Sequence, residues 1–524
     1  MIAAARYGVA AALLACIALP LAAQDTGRPQ SAIGWLEEAL AFPSQPGLAD
    51  DLPIPGLLPS EDDAEEEPAI TVAPLSAPQL DQIGLFAASR IGLPRDLWSG
   101  MPVAELISGL AALPTDTMPA ALQLSYRLLL AEFDPPEQMP PETRGTILTA
   151  RIDKLIAMGA LETATQLLDA APVQTGALNS RAFDIALLLG EEHRACAQMQ
   201  GMISAEFGHA LHIFCLARQG AWQAAHTTLD VAQSLGLLEP SEAQLLRRFL
   251  EEEEAEFLPA PPAELTPLGW RILEALGDPV PTSSLPVAYA HADLRGTSGW
   301  RAQLDAAERL TRAGVMPANR LLGLYAARRP AASGGVWERV RAVQRLDQAL
   351  QQRDAERAAN ALSTAWPLFE RVELEMAFAE IFAERLADIS LEGDAEAQRI
   401  RWKLLMLTQT RLDRASEIQP NSDTARLVMA LAAGDALPEV NGNSTAQAIR
   451  DAFDDATGPA NADTAALPER PAGAVMLDAL SDIALAAAGD ARAAQHGLAA
   501  LRALGLDSTA RQIAIELLLL ERRG

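Results

Sequence analysis

The chain has 524 residues, of which 49% are hydrophobic and 21% charged, with 41 Lys+Arg against 69 Asp+Glu and a formal net charge of -28. That length accommodates about two to four domains or one long repeat array, and the composition is globular rather than disordered or multiply membrane-spanning. So acidic a chain cannot neutralise phosphates along its length, which excludes nucleic-acid binding. Lys154 and Lys403 are the only lysines, leaving little scope for Schiff-base or P-loop lysine chemistry.

Residues 1–23 read as a secretory signal: Arg6 supplies a positive start, Gly8–Leu19 an apolar stretch of about the right length, and Pro20 with Ala22-Ala23 a small-residue cleavage site before Gln24. Leu13-Leu14-Ala15-Cys16 offers a rival lipoprotein reading, but Ile17–Leu21 continues the apolar run past Cys16, which favours export without lipidation. The expected mature protein has no transmembrane span and resides in a bacterial periplasm. Residues 24–79 read as a Pro- and acid-rich linker holding one short amphipathic helix, Ile33–Phe42, and the runs Glu61-Asp62-Asp63 and Glu65–Glu67.

From Leu80 onward apolar residues recur at three- and four-residue spacing, as at Leu122, Leu124, Tyr126, Leu129 and Leu130, and no stretch alternates as a strand does. This pattern predicts an all-α chain with negligible sheet. A repeat stands out within it. Gly159, Gly190 and Gly220 are 31 and 30 residues apart, and each is followed five residues later by alanine: Ala164, Ala195 and Ala225. Each glycine suits the left-handed end of one helix, and each alanine lets the next helix approach closely.

Gln219-Gly220-Ala221-Trp222-Gln223-Ala224-Ala225, with Ala232 beyond, resembles the centre of a tetratricopeptide repeat. Gly159, Leu161, Ala164 and Ala171 repeat the pattern with an aliphatic in place of the aromatic. Asp354, Ala358 and Ala365, and Gly489-Asp490 with Ala494, resemble worn copies. The period is short and most first-helix signature positions are missing. The resemblance implies a tetratricopeptide-like α-solenoid of stacked helical hairpins that offers a concave surface to a protein partner.

Breaks in the pattern divide the chain into a helical-repeat block over 80–258, a second helical block over 264–433, a loop-rich linker over 434–473 and C-terminal helices over 474–524. The first break carries Glu251–Glu254, Glu256, Pro259, Pro261 and Pro262, and the last helix is expected over Ser508–Arg522 with Ser508 as its N-cap.

Once the signal is removed, Cys196 and Cys215 remain, lying about equally far from a turn near Glu206-Phe207-Gly208. This spacing predicts a disulfide between antiparallel helices, contributing on the order of 3 kcal/mol. A metal site of Cys196, His209, His212 and Cys215 is disfavoured, because positions six apart diverge by about 240° around a helix. Ser333-Gly334-Gly335, near Arg328 and Arg329, reads as an ordinary helix entry rather than an anion site, and Glu251–Glu256 as a solvated helix end rather than a calcium loop. G-x-S-x-G, H-E-x-x-H and G-x-G-x-x-G are all absent from the sequence.

The expected function is therefore a periplasmic helical-repeat scaffold that binds another cell-envelope protein, without cofactor, metal or catalysis. Trp222, Trp270, Trp300, Trp337, Trp366 and Trp402 are its candidate anchors. The alternatives are a peptidoglycan-associated enzyme or enzyme-accessory protein, and an accessory protein of the flagellar motor.

Overall fold

A computed structural model describes residues 79–520 apart from 173–174, 199–207, 252–264, 392, 417–421 and 455–469. The signal sequence, the short helix at Ile33–Phe42, the acidic linker, Glu206-Phe207 and the Pro-rich break after Glu251 lie outside the described residues.

The described residues form 23 α-helices and one two-residue strand pair. The pair joins β1 (Phe86–Ala87) to β2 (Ala131–Glu132) in parallel, with Phe86 opposite Ala131. The first helices are α1 (Val103–Ala112), α2 (Pro119–Leu130), α3 (Thr146–Ala157), α4 (Leu161–Asp169), α5 (Gly176–Leu189) and α6 (Glu192–Gln198). There follow α7 (His209–Arg218), α8 (Trp222–Ser234), α9 (Pro240–Glu251), α10 (Pro267–Ala275), α11 (Ala290–Asp293), α12 (Trp300–Arg312), α13 (Ala318–Ala326) and α14 (Val336–Gln351). The remainder are α15 (Ala355–Glu370), α16 (Glu375–Ala387), α17 (Ala395–Thr408), α18 (Leu412–Ser416), α19 (Asp423–Ala433), α20 (Ser444–Ala452), α21 (Ala472–Ala487), α22 (Ala491–Ala503) and α23 (Asp507–Leu519). The chain is all-α, as the periodicity predicted, and no helix among the described residues is long and apolar enough to cross a membrane.

The repeat glycines act where the sequence placed them. Gly159, Gly190 and Gly220 all have φ near +80°, a region open to glycine at no steric cost. After each, the next amide donates to the carbonyl five residues back: Ala160 to Leu155, Glu191 to Ala186 and Ala221 to Leu216, at 2.8, 2.8 and 2.9 Å. This reverses the chain and satisfies carbonyls that the helix end leaves open. Ala164, Ala195 and Ala225 are buried, so the helices after the turns, α4, α6 and α8, pack through them. In the worn copies, Asp354 and Asp490 cap α15 and α22 with their carboxylates, and Ala358, Ala365 and Ala494 have no exposure.

Two cores result. The larger runs from Phe86 to Leu520. The smaller is built from α5 to α10, around Phe183, Phe214, Leu229, Leu246 and Ile272. Consecutive helices pair throughout: α3 with α4, α7 with α8, α14 with α15, α16 with α17 and α21 with α22. The ends of the helical array also meet, because α21 packs on α1 and α2, and α23 packs on α2, α17 and α19. Ala120 at the start of α2 donates its N–H to Glu516 Oε2 on α23 at 2.9 Å. In an open stack each unit touches only its neighbours, and these contacts depart from that pattern.

Three expectations are corrected. α20 occupies the stretch read as loop-rich, because Asn443 accepts from the Ala446 amide at 3.0 Å and caps a helix that buries Ala446, Ile449 and Ala452. Leu268 and Ile272, read as opening the second block, complete the smaller core, so the polar break before them is not a core boundary. α23 starts at Asp507 with Leu506 as its N-cap, leaving Ser508 inside the helix.

Candidate functional site

The disulfide is present. Cys196 on α6 and Cys215 on α7 are bonded, with Cα atoms 5.3 Å apart, inside the range a bridge requires. Both cysteines are buried in the smaller core. Neither is a free thiolate, and no group of three or more His, Cys, Asp or Glu among the described residues is arranged to hold a metal ion.

An ion-pair network ties this bridged unit to the larger body. Glu192, buried at the start of α6, accepts from Arg271 at 2.7 Å and from Arg218 at 3.4 Å. Arg271 also pairs with Glu274, which accepts from Arg295 at 2.7 Å. Burial raises the Glu192 carboxyl, but the Arg271 hydrogen bond and the charges of Arg271 and Arg218 outweigh it and hold the group below the ordinary carboxylate range.

The outer helix of the unit, α8, packs on α7 and α9 through Ala225, Leu229 and Ala232. A second stripe, Ala224, Thr228, Val231 and Leu235, repeats at four, three and four residues and lies about 100° round the helix from the first. The Thr227 and Thr228 hydroxyls donate back to the carbonyls of Gln223 and Ala224, at 2.9 and 2.8 Å. Of the large hydrophobic side chains exposed among the described residues, four lie on α8 and the turn after it: Trp222 at 46%, Val231 at 52%, Leu235 at 66% and Leu237 at 48%. Leu485 on α21 is the fifth. Trp222 is held in place, its ring centroid 6.5 Å from that of Phe249, which stacks at 5.6 Å on Phe214, itself edge-on to Phe183 at 6.4 Å. The aromatic chain runs from the exposed face into the smaller core.

This sorts the tryptophans. Trp270, Trp300, Trp366 and Trp402 are buried, and Trp337 is half-buried against Trp300. They fill the core rather than await a partner, and Trp222 alone of the six is exposed. The Ser333–Gly335 loop is a helix entry with Gly335 at the N-cap of α14.

A second feature went unread in the sequence. Where α2, α16, α17 and α23 converge there is a cleft of about 440 Å³ lined by Gln123, Arg127, Thr311, Glu373, Glu380 and Gln512 among others. Crowding by its walls pushes the Glu380 carboxyl up, to about 7, although the side chain is exposed at the cleft and solvent screens part of the effect. Glu516 stands in its wall, bonded to Ala120 N–H and to Gln512 Nε2 at 3.1 Å. Both charge signs are present. The contributing positions lie in five segments spread over the chain, so no local motif signals them.

No protein-family model matches the chain, and neither a curated protein nor a solved structure matches it.

Proposed function

We propose that this chain is an exported helical-repeat scaffold that binds another envelope protein of the bacterial periplasm, without catalysis of its own. The observation that carries the reading is the exposed apolar surface of α8 and the turn after it. Four large exposed side chains gathered within 16 residues, on α8 and the turn after it, have the composition of an interface core rather than of an ordinary surface. The disulfide and the aromatic chain behind Trp222 stiffen the unit that carries these side chains, which lowers the entropy lost when a partner binds. Tetratricopeptide-like hairpins built on Gly159, Gly190 and Gly220 supply the framework. Export is supported by the apolar N-terminal stretch and by a cysteine pair joined as it is in oxidising compartments.

The test compares the full chain with a Trp222→Ser/Val231→Ser/Leu235→Ser variant as bait in envelope extract. A partner captured stoichiometrically by the wild type and at least tenfold less by the variant is expected. Equal capture by both contradicts the proposal, as does release of muropeptides from peptidoglycan by the purified chain.

A further inference from the structure

From Arg295 to Arg357 the sequence holds twelve arginines and six carboxylates, in a chain whose formal net charge is -28. Much of that charge is neutralised locally: Arg339 pairs with Glu308, Arg357 with Asp354, and Asp347 is taken by Arg385. Arg328, Arg329, Arg345 and Arg353 are exposed and join none of the ion pairs among the described residues. Arg341 donates to the Ala332 carbonyl. The uncompensated carboxylates beside them are Glu338 and Glu356, so the local field stays positive.

Two of these arginines, Arg345 and Arg357, line one groove, and Arg353 sits in the turn that joins its two helices. The loop bearing Arg328 and Arg329 is fastened along α14, because Gln344 Nε2 donates to the carbonyls of Arg328 and Tyr325 at 2.7 and 2.8 Å. On α14, Arg341, Arg345, Gln348 and Gln352 follow at four, three and four residues and so form one stripe. The last three line a cleft of about 290 Å³ between α14 and α15, whose other wall is Arg357, Asn360 and Thr364. Ala342, Ala349 and Ala361 also line it, and their small side chains give it depth. From Ala342 to Gln352 the groove runs about 15 Å at 1.5 Å per residue, the span of about four to five residues of extended chain.

Arg353 adds an independent sign. It turns the chain from α14 into α15 with φ +52°, a conformation that costs a side-chain-bearing residue about 1 kcal/mol or more. The turns at Gly159, Gly190 and Gly220 place glycine there. A guanidinium kept at a strained position beside a basic groove fits a role in contact with a ligand.

We propose that the α14–α15 groove binds a short, carboxylate-rich, extended segment of a partner polypeptide. Guanidinium forks match carboxylates in geometry as well as charge. Gln348, Gln352 and Asn360 offer donors and acceptors to peptide main chain, which a lipid headgroup does not need. None of the exposed large hydrophobic side chains falls between residues 328 and 364 to enter a membrane. The acidic remainder of the surface repels a long polyanion, so the acidic stretch is short. This site is separate from the α8 surface and stands or falls independently of it.

The experiment titrates a fluorescein-labelled twelve-residue peptide of Glu, Asp and Ser into the full chain, with the matching Gln/Asn/Ser peptide as control. The expected result is binding at least tenfold tighter for the acidic peptide, weakening as salt is raised. An Arg328→Gln/Arg329→Gln/Arg345→Gln/Arg353→Gly variant should lose at least tenfold in affinity with no fall in melting temperature, since glycine relieves the strained turn. A Gln348→Ala/Asn360→Ala variant, keeping every arginine, should lose at least threefold. The Trp222→Ser/Val231→Ser/Leu235→Ser variant should bind the peptide as the wild type does. Equal affinity for the two peptides overturns the proposal. So does an arginine variant that binds normally, loss of binding in the α8 variant, or binding to phosphatidylglycerol vesicles with none to the acidic peptide.

Discussion

Glu516 lies 396 residues from the backbone amide it accepts from. Met118, at the N-cap of α2, has no side-chain oxygen to offer, so the carboxylate of a distant helix satisfies one of the amides that a helix start leaves open. Glu516→Ala is expected to cost about 1–2 kcal/mol in denaturant unfolding, with Glu516→Gln, which keeps an acceptor oxygen, losing less than half of that. Glu192 acts through charge. Its folded carboxyl ionises below the ordinary value of 4.5, so its stabilising effect is complete above that pH and disappears as pH falls through the folded value. Glu192→Gln should therefore lower stability at neutral pH and flatten the acid limb of the stability profile, read by melting temperature against pH. Glu380 has the opposite sign. Its carboxyl is raised to about 7, so the folded chain keeps a proton there that the unfolded chain releases, and stability falls as pH rises from 4.5 to 7. Glu380→Gln should raise the melting temperature at pH 8 and leave it almost unchanged below pH 4.5.

At the scale of elements, the bridge between α6 and α7 closes a span of 19 residues in the smaller core. Cys196→Ala/Cys215→Ala is expected to destabilise that unit by about 2–4 kcal/mol, measured by hydrogen exchange in α7 and α8. Exchange there unchanged from the wild type would show the bridge to be energetically idle. The bridge and the turns were legible in the sequence because they are local: glycine ends a helix within five residues, and two cysteines equidistant from a turn meet across it. The α8 surface was not. Ala224, Ala225, Leu229, Val231, Ala232 and Leu235 trace two interleaved apolar stripes, and spacing alone does not say which one faces the core. Trp222 was singled out by its repeat position, yet so were five other tryptophans that pack inside. What separates them is burial, a tertiary property. The doubled stripe on one helix was the available signal, since a helix packed on one side only needs one.

For the whole molecule, helical class followed from periodicity, while the meeting of first and last helices did not. It depends on α21 and α23 reaching α1 and α2, contacts whose sequence separation leaves no pattern in any window. The polar cleft beneath that junction was hidden for the same reason. Truncation after Leu504 should remove the partner of α2 and α17 and replace a sharp thermal transition by a broad one; an equally sharp transition would mean that the junction adds little. The functional account rests on the α8 surface, and the most direct measurement is site-specific photocrosslinking in living cells. A benzoylphenylalanine replaces Leu235 in one experiment and Leu485, the exposed apolar residue on α21, in another. The account predicts one discrete adduct with an envelope protein from position 235, weakened by Val231→Ser and absent from position 485. No adduct at 235, or the same adducts from both positions, would contradict it.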